Sequence, residues 1–391
     1  MKFLHTSDWH VGKTLKGRNR LDEQRDVLRQ IVAVAREHDV DAVLLAGDLY
    51  DTSAPSADAQ RLVVQALLAL RRSGAEVIAI AGNHDHAGTF DAYRPLMTVA
   101  GITLVGSVRS ADNGGVVTFT ARSTGETVNV AVLPFLNQRY AVRAAQLVAN
   151  TPAENAGSYD EMVREVLATL TASFTPGAVK LIMAHLTVTG GALGGGERAA
   201  QTIFEYHVPA AAFPVEAHYV ALGHLHRRQT LPAACPVVYC GSPFPVDFGE
   251  QDNTHVVCVV EAEATPATPA RVTDVPITAG RRLRTVSGTA AELTARAAEF
   301  GEDFLRVYVR EPARAGLREQ ITEALPNALE VRIDLEFAAR LDRTCSSAGR
   351  PDRTPGELFA EFCASVDVQD ERVAALFGRL HDEVVGTGTY G

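Results

Sequence analysis

The sequence predicts an α/β fold in which two sheets pack face to face between helices, followed by a smaller α+β cap and a helical C-terminal tail. Three observations predict it. Short apolar runs alternate with helical periodicity from Lys2 to Ala81, and a second series of apolar runs follows between Val116 and Val260. A Pro-, Ala- and Thr-rich stretch, Glu263 to Pro276, then separates both from a shorter βαβαβ pattern. At 391 residues, 46% hydrophobic and 21% charged, the chain has globular composition and length for two to three domains of ~150 residues.

Lys2 to Thr6 is the first expected strand, and Leu28, Ile31, Val32 and Ala35 recur at helix spacing after it. Ala42 to Ala46 is apolar throughout and Glu76 to Ala81 is apolar after its first residue, as strands buried on both faces are, with Val63, Ala66, Leu67 and Leu70 marking a helix between them. Later runs at Val116 to Thr120, Val128 to Leu133, Val179 to Ala184, Tyr219 to Leu222, Val237 to Cys240 and Thr254 to Val260 are spaced like a meander, with a helix near Ser158 to Leu170. Glu263 to Pro276 is expected to be a linker closing a first domain of residues 1–276. A cap over 281–345 follows, with strands at Arg281 to Ser287, Phe304 to Val309 and Leu329 to Leu335 and helices at Ala290 to Phe300 and Leu317 to Leu325. The tail, 354–391, carries two amphipathic segments whose apolar residues include Leu358, Phe359, Phe362, Phe377 and Leu380.

A formal charge of −10 excludes a chain that binds nucleic acid by overall phosphate neutralisation. Five scattered cysteines lack paired metal-site spacing, which suits a reducing compartment, and MKFLHTSDWH places Asp8 and His10 where a signal peptide would be apolar. No apolar run approaches the ~18 residues of a membrane span. A soluble, cytoplasmic protein is expected.

The chemistry-bearing residues follow the apolar strands directly: Asp8 and His10, Asp48 and Asp51, Asn83 to Asp85, His185, and His224 with His226. The carboxyl edge of an α/β sheet is where such residues meet. If the segments are extended, Asp8 and His10 point to one side about 6 to 7 Å apart, as do His224 and His226, and each pair can bracket a metal. Two carboxylates, an amide and four imidazoles suit Mn, Fe or Zn better than Mg or Ca. Seven ligands are too many for one ion, but two ions sharing a carboxylate about 3.5 to 4 Å apart would use them all.

Lys13, Lys16, Arg18 and Arg20 follow His10, and Arg227 and Arg228 follow His226; both clusters are candidates for phosphate-backbone contact. The stretch TGGALGGGE, Thr189 to Glu197, lacks the Lys-Ser/Thr of a nucleotide loop and is expected to be a mobile substrate-side loop. By alternation Trp9 packs into the sheet. Asp85 either orients a neighbouring histidine or caps its loop, and His38 suits the end of a helix.

The set DxH, GDxxD, GNHD, H and GHxH resembles that of the calcineurin-like metallophosphoesterases. HTSDWHVGK, AGDLYDTSAPS, AGNHDH, ALGHLHRRQ and YCGSPFPVDFGE are similar, within that superfamily, to the SbcD family of bacterial DNA-processing nucleases. The motifs cover roughly residues 1 to 260; the cap and tail match by order and size. The resemblance implies an α/β/β/α sandwich in which Asp8, His10 and His226 hold one metal, Asn83, His185 and His224 the other, and Asp48 bridges them. His84 would contact the scissile phosphate without ligating metal. Asp51 stands where some archaeal and eukaryotic relatives have a second histidine. The resemblance further implies a Mn2+-dependent exonuclease and endonuclease on DNA, an SMC-like ATPase partner (SbcC) docked through the tail, and a homodimer within a heterotetramer. The rival is a small-molecule phosphodiesterase or protein phosphatase on the same core, although phosphatases read GDxxDRG where Thr52 and Ser53 follow Asp51 here.

Overall fold

The computed structural model describes residues 1–136, 152–197, 207–265, 269–334, 337, 354–365 and 370–386. In chain order come β1 (Lys2–Thr6), β2 (Thr14–Leu15), β3 (Arg18–Asn19), α1 (Leu21–Glu37), β4 (Ala42–Leu45), α2 (Ala57–Arg71), β5 (Glu76–Ile80), α3 (Ala87–Val99), β6 (Ile102–Val105), β7 (Val116–Thr120), β8 (Thr127–Leu133) and α4 (Pro152–Thr171). Next are β9 (Val179–His185), β10 (Thr187–Val188), β11 (His207–Val208), β12 (Tyr219–Gly223), β13 (Gln229–Leu231), β14 (Val237–Tyr239), β15 (Val256–Glu261) and β16 (Arg271–Pro276). The remainder comprises β17 (Leu283–Gly288), α5 (Ala290–Ala295), α6 (Ala297–Phe300), β18 (Phe304–Val309), α7 (Leu317–Ala324), β19 (Ala328–Ile333), α8 (Pro355–Ser365) and α9 (Glu371–Gly386).

Two six-stranded sheets form, in the orders β16-β15-β1-β4-β5-β6 and β13-β14-β12-β9-β8-β7. The apolar runs are continuous because both faces of each central strand are covered. Phe3, Ala42, Leu44, Ile78 and Ile80 point between the sheets, where they meet Val130, Leu181, Met183, Tyr219 and Ala221 of the second sheet. Their neighbours Leu4, Val43, Leu45, Val77 and Ala79 point outward, against Leu28 and Ile31 of α1 and Val63 and Leu67 of α2. The second sheet turns Ala131, Ile182, Val220 and Leu222 outward onto Tyr159, Val163 and Leu167 of α4. His5 lies in this core with its ring nitrogens 2.9 Å from Tyr219 OH and 3.1 Å from the Leu222 carbonyl, a satisfied inter-sheet link.

Two expectations are corrected. The second half is not a meander: β8, β9, β12 and β14 run parallel, and only the edge strands β7 and β13 are antiparallel. Parallel pairing needs crossovers, but among the described residues only the β8-to-β9 connection carries a helix of sufficient length to show a 3.6-residue period. Arg271–Pro276 is not linker but β16, paired antiparallel with all of β15. Its Val272 and Val275 are half-buried on an exposed edge, where a terminal proline is tolerated. The sequence reading assigned no element between Ala81 and Val116, where the structure has α3 and β6; α3 buries only Phe90 and Met97, contains Pro95 and leaves Tyr93, Leu96 and Val99 exposed.

The cap is a parallel sheet, β17-β18-β19, whose apolar side chains meet those of α5 and α7. It is rooted on the larger unit by Leu15, Phe248, Leu283 and Phe304, which form one buried cluster, and by Lys16 to Glu330 at 3.2 Å. Arg20, expected at the DNA surface, belongs here instead and is 1% exposed. Its guanidinium donates to the Pro245 carbonyl at 2.5 Å, pairs with Glu23 at 3.0 Å and lies over the rings of Phe244 and Phe304. In the tail, α8 and α9 stack Phe359 on Phe377 at 4.1 Å and leave Leu358, Phe362, Leu376 and Leu380 exposed. Cys345 and the rest of 338–353, between the expected cap and tail, lie outside the described residues, as does the side chain of His381.

Replacing Arg20 with Met should lower unfolding free energy by about 3 kcal/mol, because a buried partner of Glu23 is lost. Arg18→Met, on the exposed part of the same segment, should stay within about 0.5 kcal/mol; denaturant midpoints measure both. Asp41 ties β1 to the turn before β8, accepting from Lys2 N–H at 2.9 Å, Ser123 N–H at 2.7 Å and the Ser123 hydroxyl at 2.7 Å. Burial works against its charge, but those donors outweigh burial and hold its carboxyl below the usual range. A depressed folded pKa stabilises above the unfolded value of about 3.9 and stops doing so as pH falls through the folded value. The advantage of the unsubstituted chain over Asp41→Asn should therefore be full above about pH 4 and shrink below it, as read by thermal unfolding across pH.

Candidate metal centre

Five strand ends, those of β1, β4, β5, β9 and β12, open on one seam between the two sheets, and every residue expected to ligate metal sits just past one of them or ends the strand itself. The segments are not extended as the sequence suggested. Asp8 has φ 54°, His10 φ 44°, Asp48 φ 53° and His224 φ 102°, so the chain turns at each of these four residues. Neighbouring loops zip together to hold the turns: Asp8 N–H donates to the Gly47 carbonyl at 3.0 Å and His10 N–H to the Asp48 carbonyl at 3.0 Å.

Asp8, His10 and His226 bring a carboxylate oxygen and two ring nitrogens within 4.8 Å of one another, all three residues being buried. Asp48 lies between this group and the next, its Oδ2 being 3.8 Å from His10 Nε2 and 3.5 Å from His185 Nε2. Asn83 Oδ1 is 2.8 Å from both His185 Nε2 and His224 Nδ1, which collects the remaining three expected ligands. His185 Nδ1 donates to the Ala46 carbonyl at 2.8 Å, turning Nε2 into the seam. Glycine precedes Asp48 and Asn83 for a steric reason. A Cβ on Gly47 would lie 2.2 Å from His185 Nδ1, and one on Gly82 would lie 2.1 Å from Asp48 Oδ1.

The donor set fits divalent cations. The Nε2 atoms of His10 and His226 approach to 3.1 Å, and two ring lone pairs at that distance call for a proton or a cation between them. The electrostatics agree. Burial drives Asp8 above the usual carboxylate range, while Asp48, despite burial, is held below it by His185. Burial opposes charge on His185 and His226 too, but Asp48 carries the first up to about 9 and Glu250 the second up to about 10. His224 goes the other way, to about 3, through burial and the charge of His185.

His84 points away from the ligand group formed by Asn83, His185 and His224. Its Nδ1 donates to the Asp51 carbonyl at 2.7 Å, and its ring stands edge-on to His10 at 4.6 Å. His10, Asp48 and His84 also have ligand atoms within 4.8 Å of one another, so His84 borders the centre directly. Asp51 carries its own charge, Lys13 Nζ lying 3.2 Å away; burial opposes that charge, but His10 and Lys13 hold the carboxyl down at about 2. Asp85 organises its loop, its carboxylate accepting from the backbone N–H groups of Leu49, Tyr50 and Gly82. Burial and the Asp48 charge raise it to about 7. Trp9 is buried and donates to Thr6 Oγ1 at 2.9 Å.

Of the six candidate phosphate contacts, Arg18 and Arg227 are exposed. Lys13 is paired with Asp51, Lys16 with Glu330, and Arg228 with Asp274 at 2.8 Å, while Arg20 is buried beyond the reach of any phosphate backbone. The glycine-rich stretch is not a loose loop at its end: Glu197 accepts the N–H groups of Gly194, Gly195 and His226. Sequence reasoning missed Glu250, which is fully buried 2.5 Å from His226 Nδ1. The motif YCGSPFPVDFGE ends on it, but nothing in the spacing ties that residue to a histidine 24 positions earlier.

Residues 1–228 match the family model for calcineurin-like phosphoesterases. The SbcD component of nuclease SbcCD from Bacillus subtilis (strain 168) is 35% identical over 287 residues, covering 72% of this chain and 71% of its own. The protein of the same name from Rhodobacter capsulatus is 34% identical over 272 residues, covering 67% of this chain and 66% of its own. That from Escherichia coli (strain K12) is 29% identical over 379 residues, covering 92% and 91%. With seven donors gathered on one seam and relatives aligned along most of its length, this chain belongs to the calcineurin-like phosphoesterases and, within them, to the SbcD family of SbcCD nuclease components.

Proposed function

We propose that the chain is a metal-dependent phosphodiesterase that cuts DNA, acting as an exonuclease on duplex ends and as an endonuclease on single strands and hairpins. The observation that carries the reading is Asp48, whose carboxylate stands between the Asp8, His10 and His226 group and the Asn83, His185 and His224 group. Asp8, His10 and His226 would hold one divalent ion, Asn83, His185 and His224 the other, and Asp48 both. The mixed oxygen and nitrogen donors suit Mn, Fe or Zn, and the resemblance to SbcD nucleases selects Mn2+ among them. When bound, such a pair supplies Lewis acidity to the phosphoryl group and lowers the pKa of the attacking water.

The chain's own residues do the rest. His84 is anchored through Nδ1–H to the Asp51 carbonyl, which leaves its Nε2 to give a proton to the leaving oxygen. Arg18 and Arg227 meet phosphates on either side of the cut, which fits backbone contact without base readout. The overall charge of −10 leaves duplex holding to a partner, the SMC-like ATPase SbcC. Its docking surface is the apolar side of α8 and α9, where Leu358, Phe362, Leu376 and Leu380 are exposed. The chain works as a homodimer within a heterotetramer, and the exposed Tyr93, Leu96 and Val99 of α3 supply an apolar face for the second copy. A small-molecule phosphodiesterase on this core is disfavoured by the SbcD relatives and by the retained cap.

End-labelled duplex and hairpin DNA should be cut by the isolated chain in Mn2+, not in EDTA, and at least about 100-fold more slowly by His84→Gln. Cutting that survives EDTA, or an unimpaired His84→Gln variant, would sink this mechanism. Deleting residues 354–391 should abolish co-purification with the ATPase while leaving DNA cutting by the isolated chain; unchanged co-purification would refute the docking assignment.

A further inference from the structure

His226 is gripped by groups that the cleavage chemistry does not use. Its Nδ1 donates to Glu250 Oε1 at 2.5 Å, its backbone N–H donates to Glu197 Oε1 at 2.8 Å, and its Nε2 faces His10. Glu250 has no exposed surface, and its other oxygen accepts from Val246 N–H at 2.9 Å with Ser242 Oγ at 3.2 Å. With both oxygens engaged the carboxylate cannot swing, so it offers one acceptor in one place. An imidazole that donates from Nδ1 keeps its lone pair on Nε2.

The glycine-rich stretch gains a physical reason here. A Cβ on Gly196 would fall 1.9 Å from Glu250 Oε1, and one on Gly194 would fall 2.8 Å from His226 Cβ. Glycine is required because this backbone lies directly on the carboxylate–imidazole pair. Glu197 then locks the stretch down through Gly194 and Gly195 N–H groups at 2.6 and 2.8 Å. His185, on the other side of Asp48, has no such carboxylate on its Nδ1 and leans on the neutral carbonyl of Ala46.

We propose that Glu250 is a positioning residue of the metal centre: it fixes the tautomer and ring plane of His226 so that Nε2 joins His10 and Asp8 on one divalent cation, under a seal formed by residues 194–197. This rests on the two-ion reading of the site. A carboxylate behind a ligating imidazole orients the ring and raises its basicity, and losing it weakens metal binding by about 10- to 100-fold. Because among the described residues only one of the two positions has such a carboxylate, the loss falls on one equivalent of metal.

The full-length chain, stripped of metal, is titrated with Mn2+ by calorimetry and with Co2+ by visible absorption. The unsubstituted chain should bind two equivalents. In Glu250→Gln one equivalent should weaken about 10- to 100-fold with an altered Co2+ spectrum, while the other keeps its affinity. Glu250→Asp, which keeps the charge but withdraws it by one methylene, should weaken the same equivalent less, and it decides the matter if the Gln variant does not fold. Two equivalents bound as in the unsubstituted chain, or both weakened alike, would overturn the positioning role. An unsubstituted chain that binds neither ion would overturn the two-ion reading itself, and the role of Glu250 with it.

Discussion

Everything in the larger unit serves the burial of two carboxylates and four imidazoles within a few ångströms of one another. Taking a single ion out of water costs several kcal/mol after relaxation. Asp8 and Asp48 are 0% and 1% exposed, and His10, His185, His224 and His226 are each under 5%. Such a cluster is tolerable only where opposite charges alternate and backbone donors fill the remaining lone pairs. Asp8 accepts from His224 N–H, Asp48 from His84 N–H, and imidazoles stand between the two carboxylates. The local strain follows from the same demand. At the centre Asp8, His10, Asp48 and His224 adopt positive φ, at a cost of the order of 1–3 kcal/mol each, because sharp turns after β1, β4 and β12 aim these side chains into a common seam.

The two-sheet architecture is what over-determines that strain. Parallel strands end together, so β1, β4 and β5 deliver their loops side by side from one sheet, and β9 and β12 deliver theirs from the other. The apolar layer between the sheets fixes their separation, and with it the distance between Asp48 on one sheet and His185 on the other. Asn83 bridges the same gap through its two 2.8 Å contacts. Neither sheet alone could assemble the donor set, which explains why the seven residues span positions 8 to 226 of the chain.

The identity of these residues was legible in the sequence because strand-ending polar residues after EVIAIA, LIMA and YVAL have no local purpose. Fully apolar strands were legible for the same reason, since burial on both faces removes every polar position. Conformation at the site was not legible. Extended backbone was expected for Asp8 to His10, and the left-handed turns there depend on hydrogen bonds from the loop after β4, which no short-range pattern reveals. Arg20 misled for a related reason: in sequence it sits among Lys13, Lys16 and Arg18, and only the approach of Phe244 and Phe304 makes its site an interior one. Glu250 and β16 were missed because their partners, His226 and the length of β15, are set by tertiary pairing.

The cap and the metal centre are joined through two short segments, and each of them does two things at once. The chain leaving His10 forms the β2–β3 hairpin, which sends Leu15 into the cluster with Leu283 and Phe304 and Lys16 onto Glu330. The turn Phe248–Glu250 places its first residue in that cluster, under Arg306 at 5.2 Å, and its last against His226. His10 and His226 are two of the three donors proposed for one metal position. Packing of the cap therefore contributes to holding that position, while His185 and His224, which sit on β9 and at the end of β12, owe their placement to the sheet alone. A centre built this way has one side set by the rigid core and the other shared with a smaller unit, an asymmetry that follows from which loops the cap covers.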